Sequence, residues 1–256
     1  MRWIKIVGAL ILTLLVAKFA STAGKESKKY EAGGFTHFNV YENIGKKPVE
    51  FVVEGPYCDN CKVTLKYRFK DYELSLPFLY KEGRWILEFP PLHRGSKIDY
   101  FIEIKKGGEI YRLPPEGRFT LKFKGKVGVL PIVLHVIFMF GHMFFIFMAL
   151  LTALLYLRGL DSAKHLYLYL LIGITSIILG GFVIGPYISY KVFDAPWGPF
   201  PFGRDVTDTK TLFSFLIWMS FVFVYKLKRS SLKALSYFVI AGTLIDVAIF
   251  LIPHSL

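Results

Sequence analysis

The chain has 256 residues, 54% of them hydrophobic, a mean hydropathy of +0.44 and a formal net charge of +13. That apolar content excludes an ordinary soluble domain and points to membrane spans in a lipid bilayer. The positive charge comes without a basic helix or finger motif, so no nucleic-acid partner is expected, and it reads as surface and topogenic charge.

The start, MRWIKIVGALILTLLVAKFASTAGKES, has a basic head, an apolar core and small residues. Ser21 and Ala23 form a signal-peptidase site before Gly24, so residues 1–23 read as a signal peptide. The alternative is an uncleaved anchor helix interrupted by Lys18, and either one exports the segment after it. Residues 24–36 are polar and glycine-bearing and read as a linker.

From His37 to about residue 125 the pattern changes to short alternating runs, HFNVYEN, VEFVVEG, KVTLKYRFK, ELSLPFLY, RWILEF, KIDYFIEIK, GEIYR and RFTLKFK. Turn residues such as Gly55-Pro56, Glu82-Gly83 and Gly107-Gly108 separate them. Seven or eight strands at that spacing predict an extracytoplasmic antiparallel β-sandwich. Val63, Leu65, Tyr67 and Phe69 are expected in its core, with Lys62, Thr64, Lys66 and Arg68 outward. The runs KVTLKYRFKDYELSLPFLYKEGRWILEFPP and KIDYFIEIKKGGEIYRLPPEG resemble the immunoglobulin or fibronectin-III-like modules of bacterial exported proteins. The resemblance implies binding or spacing through a protein partner, with no catalysis.

Cys58 and Cys61 form a CxxC at a predicted hairpin tip. One such pair cannot complete a structural zinc site, and redox pairs usually open a helix. It reads as a disulfide stapling a turn in an oxidising compartment, with redox chemistry or metal capture as alternatives.

Residues 127–256 read as a four-helix transmembrane bundle, so the fold class is multi-domain α+β. The spans fall at about 127–157, 166–190, 212–225 and 232–252, the third short of the ~20 residues a crossing needs unless it recruits its flanks. Lys226, Lys228, Arg229 and Lys233 in one link, and Arg158 and Lys164 in another, mark those links as cytoplasmic. Lys122, Lys124 and Lys126 oppose that vote, but they end a folded exported domain, where charge counts less. The sandwich, the 194–210 loop and the C-terminus then lie outside the cell membrane. Gly181 and Gly185 form a small-xxx-small face for close helix approach.

Charged and ionisable groups inside spans are costly and mark function. His135 and His142, seven positions apart on the first span, lie nearly on one face, about 10 Å apart along the axis. One small ion cannot easily take both, and Met139 between them adds a soft-metal ligand. Counted from the span ends, Asp246 lies at nearly the depth of His135, so the two are expected to meet. There Asp246 would orient a histidine ligand or relay protons. Polar packing between helices is the competing reading for the two histidines, and a lone Asp246 that faces a watery cavity or is kept neutral is the competing reading for the aspartate.

The segment WGPFPFGRDVTDTKTLFSFLIW, with His135 before it and His254 after it, resembles the haem-handling membrane proteins of cytochrome c maturation. In those, a tryptophan-rich outer loop lies between two outer histidines. The resemblance implies haem near the outer face, with His135 and His254 as ligands and Trp197 and Asp205 in the loop; from the histidines themselves, haem b or a copper ion would be held there by His135 with His142 or His254. The segment departs from that pattern in holding one loop tryptophan and in the small number of spans. Asp205 and Asp208 also suit the first turn of the third span, and Trp197, Phe200 and Phe202 suit the bilayer edge. Two functions are consistent with these residues: a cofactor-handling or electron-transfer membrane protein, or a non-catalytic anchor whose sandwich binds a partner protein.

Overall fold

A computed structural model describes residues 2–20, 27–197, 206–227 and 231–252. The chain forms two compact units. One holds residues 25–126 together with 191–195, and the other holds 1–24, 127–190 and 196–256.

The first unit is a two-sheet sandwich. Its strands are β1 (Lys29–Ala32), β2 (Phe35–Phe38), β3 (Glu42–Ile44), β4 (Val49–Glu54), β5 (Cys61–Phe69) and β6 (Tyr72–Pro77). They continue with β7 (Leu79–Lys81), β8 (Arg84–Phe89), β9 (Lys97–Lys106), β10 (Glu109–Leu113) and β11 (Phe119–Lys124). One sheet runs β1-β2-β4-β8-β7 and the other β3-β11-β9-β5-β6, with β10 also on β9. Every pairing is antiparallel except β3 with β11. Alternation decides which face is buried. In β4, Val49, Phe51 and Val53 point into the core while Glu50 and Glu54 stay outside. In β9, Ile98, Tyr100, Ile102 and Ile104 do the same. The turns Glu82-Gly83 and Gly107-Gly108 have positive φ at both residues, the twist that suits tight hairpins.

Several details of the sandwich differ from expectation. Residues 29–32 and 35–36, read as linker, are β1 and the start of β2 in the first sheet, and the described residues form eleven strands where seven or eight were expected. The run HFNVYEN is two strands, because the chain crosses from one sheet to the other at residues 39–41. Tyr100 pins that crossing: its hydroxyl accepts from Val40 N at 2.8 Å and donates to Val40 O at 3.1 Å. Thr64, expected outward, is buried on the second face of β5, where Pro77 and Glu103 flank it on neighbouring strands.

The second unit is helical. α1 spans Arg2–Ala20, α2 Val129–Leu157, α3 Leu166–Ile177, α4 Gly185–Phe193, α5 Val206–Leu227 and α6 Leu232–Leu251, with a π-helical segment, Ile178–Ile184, joining α3 to α4. Among the described residues four helices are long and apolar enough to cross a membrane: Val129–Leu157, Leu166–Phe193, Thr209–Leu227 and Leu232–Leu251. The third span does recruit its flanks. Ile146, Ala149, Ala153, Leu166, Leu170, Trp218, Leu235 and Val239 form the main core. α1 packs on α2 through a second cluster of Ala9, Met143, Phe147 and Met148. Ser231 caps α6, its Oγ accepting from Ala234 N at 3.2 Å.

Candidate functional site

Glycines set the geometry of the buried polar site in the helical unit. A Cβ at Gly173 would lie 3.1 Å from Ile146 Cδ1, and one at Gly180 2.9 Å from Phe138 Cβ. α2 therefore approaches α3 and the π segment closely enough for its side chains to reach their backbone. His142 Nδ1 lies 2.9 Å from Gly173 O, and His135 Nδ1 lies 2.9 Å from Gly180 O. The two bonds are seven residues apart on both antiparallel helices. Gly180 O also accepts the Gly185 N–H, the five-residue bond of a π turn. Pro186 comes directly after and brings no N–H of its own, so the wider turn precedes the point where α-helical bonding would fail.

The other side of His142 closes the site. Its Nε2 lies 3.1 Å from Asp246 Oδ2 and 3.3 Å from Ser214 Oγ. Trp218 Nε1 donates to the same Asp246 Oδ2 at 3.2 Å. His142, Ser214, Trp218 and Asp246 are all fully buried. Ser214 and Trp218 are four residues apart on α5, and so share a face. Gly242, one turn before Asp246 on α6, makes room for the indole: a Cβ there would lie 3.0 Å from Trp218 Cη2.

Hydrogen-bond chemistry fixes part of the proton count. A carbonyl only accepts, so His142 Nδ1 carries a hydrogen toward Gly173 O. The Nε2–Oδ2 bond then needs a single hydrogen between its two atoms. Either Nε2 holds it, giving an imidazolium facing a carboxylate, or Asp246 holds it, giving two neutral groups.

Asp246 thus partners His142, where His135 was the expected partner. Counting depth from the helix ends treats those ends as level, but α2 has 29 residues and α6 has 20. The longer helix places His142, not His135, opposite Asp246. His135 is half-buried and keeps its bond to Gly180 O. Met139 lies against Gly180, its Sδ 3.1 Å from where a Cβ would stand. Gly181 approaches Thr211 on α5 while Gly185 approaches His135 on α2, so the two glycines serve different neighbours. Trp197 stacks on Phe182, with ring centroids 5.4 Å apart. His254 and Asp205 lie outside the described residues. The parts that sequence reasoning missed are Ser214, Gly173 and the role of Trp218 as a donor to Asp246. The spacing of Ser214 and Trp218 was the available signal.

A haem or metal finds few free donors here. Both ring nitrogens of His142 are engaged, and His135 offers only Nε2, with Met139 near it. Among the described residues no group of three or more His, Cys, Asp or Glu could hold a metal ion. The described side chains do not fit a His135–His142 centre.

In the sandwich, Cys58 and Cys61 are joined as a disulfide at the start of β5, and Cys61 N donates to Cys58 O at 3.0 Å. His37 is buried beside Tyr100, its Nδ1 2.8 Å from Val52 O, and burial holds its pKa below the ordinary histidine value. Residues 191–195 belong to this unit: Gly125 N donates to Val192 O at 2.9 Å, and Asp194 pairs with Arg94 and His93. β6 and β7 end the two sheets, and there Tyr72, Leu74 and Leu79 are exposed.

No family model matches the chain, and no curated protein matches it. A solved structure titled "Crystal structure of Br derivative BhCBM56" is similar at 16% identity with a TM-score of 0.28, over 36% of this chain and 95% of its own.

Proposed function

We propose that this chain is a non-catalytic multi-pass membrane protein that presents its β-sandwich on the outer side as a binding module for a partner protein. The observation that carries this reading is the pair of edge strands. β6 and β7 expose Tyr72, Leu74 and Leu79 at the ends of the two sheets, where soluble domains usually place charge or cover. Extended partners add to such edges through main-chain hydrogen bonds and read the flanking side chains. The disulfide beside β5 suits an oxidising compartment. The packing of α1 against α2 supports a retained anchor over a cleaved signal peptide.

The engaged nitrogens of His142 favour this reading over cofactor handling. A photo-crosslinker at Tyr72 or Leu74 in native membranes is expected to give a protein adduct that the same group at Lys47 does not. No adduct from the edge strands, together with a haem absorption band or bound copper in the purified protein, would replace this reading with the cofactor one.

A further inference from the structure

Asp246 carries an anomaly that neither binding nor anchoring uses. Its Oδ2 takes bonds from His142 and Trp218, but its Oδ1 is buried without any hydrogen-bond partner among the described residues. An anionic oxygen left unsatisfied in an apolar interior is strongly penalised. A protonated Oδ1 whose hydrogen points at no acceptor is also penalised. Neither protonation state of the pair satisfies Oδ1 by itself, so the position calls for a small polar visitor able to donate or accept.

The helices around the pair bring no other carboxylate or cation to it among the described residues. Lys210 on α5 bonds Ile252 O, Lys5 on α1 pairs with Asp161, and His135 on α2 lies two turns away on Gly180 O. Ser214 can turn its hydroxyl either way, donating to Nε2 when that nitrogen is bare and accepting when it is protonated.

We propose that His142 and Asp246 form a proton-exchange site in the helical unit, with the shared proton on His142 Nε2 at rest and a second taken on Asp246 Oδ1 from a hydronium ion. In uptake, an O–H bond of a hydronium ion breaks, an O–H bond forms at Oδ1, and water remains as its acceptor. His142 then stands as the imidazolium, donating from both nitrogens, and Asp246 as the neutral acid. No electron moves. With the shared proton on Nε2 at rest, the Trp218 indole reports the change, because its N–H donates to a carboxylate before uptake and to a weaker neutral carbonyl after it.

The test uses the full chain in lipid nanodiscs. Infrared difference spectra taken as the pH is lowered should show a carboxylic-acid C=O band that shifts in D2O and moves on 13C-aspartate labelling. Resonance Raman of the Trp218 indole N–H should change over the same pH interval, against a Trp218→Phe background that removes the signal. Asp246→Asn should abolish the band. Where that variant does not fold, labelling and the Trp218 signal decide on the wild-type chain. An indole signal and a buried-carboxyl band that both stay constant over the pH range in which the protein remains folded would overturn the proposal, as would a band that survives in folded Asp246→Asn.

Discussion

Lys5 Nζ lies 2.6 Å from Asp161 Oδ2, tying α1 to the link between α2 and α3 across 156 positions of sequence. The Lys5 and Asp161 side chains are 8% and 16% exposed, so each loses most of its water. The Lys5 ammonium holds the Asp161 carboxyl below the usual carboxylate range. With the folded value depressed, the contribution is present above about pH 4 and is lost as pH falls through the folded value. Cleavage after Ala23 would remove Lys5 and strand the carboxylate. The intact mass of the membrane-extracted protein is therefore expected to include residues 2–23. Asp161→Asn should cost more than Lys5→Met, because it leaves the more deeply buried charge unpaired. Each should cost roughly 1–3 kcal/mol, with part recovered in the double variant. A mass beginning at Gly24 would refute the anchor.

Close helix approach makes a second set of outcomes. A Cβ at Gly242 would lie 2.6 Å from Phe221 Cε2, and one at Gly181 2.3 Å from Thr211 Cγ2. One at Gly141 would lie 3.5 Å from Ser176 Oγ, an ordinary contact. Gly242→Ala and Gly181→Ala should each destabilise the helical unit by about 1–3 kcal/mol, by overpacking. Gly141→Ala should be nearly silent. Thermal unfolding in detergent separates the three. Gly242→Ala should also shift Trp218 fluorescence, since the indole must move.

The sandwich and the spans were readable because their signals are periodic. Alternation in β4 and β9, and apolar runs long enough to cross a bilayer, each depend on many residues at once. The single strand read from HFNVYEN failed because a sheet crossing depends on one distant hydroxyl, that of Tyr100, which no local pattern shows. The partner of Asp246 failed for a similar reason. Depth along one helix is legible, but the offset between two helices of unequal length is set by packing. The π segment at Ile178–Ile184 was foreshadowed only by Gly180, Gly181, Gly185 and Pro186, residues that also fit a simple close-packed face.

The Cys58–Cys61 pair closes a very short loop, for which chain-entropy reasoning gives about 2 kcal/mol of stabilisation at most. Replacing both cysteines with serine should lower the stability of the sandwich by that amount or less and leave the partner adduct at Tyr72 intact. Free thiols in the protein isolated from its membrane under thiol-blocking conditions would instead assign the pair to redox chemistry or metal capture.

His37 should give the sandwich a pH dependence of definite sign. The ring is buried against Phe51, Tyr100 and Phe119, and its neutral form donates from Nδ1 to Val52 O. Burial lowers its folded pKa, and the bond to Val52 O opposes that only in part. The unfolded chain then binds a proton at higher pH than the folded one does. Stability is therefore complete above the unfolded value of about 6.5 and declines as pH falls from there toward the folded value, below which it levels off. Amide hydrogen exchange of β2 and β4, corrected for intrinsic rates, should show protection falling over that interval. The measurement belongs in a His93→Asn background, because His93 lies 3.5 Å from Asp194 in the same unit. His37→Gln, which can donate but does not titrate, should flatten the curve. A decline of the same size in His37→Gln would assign the pH dependence to other groups.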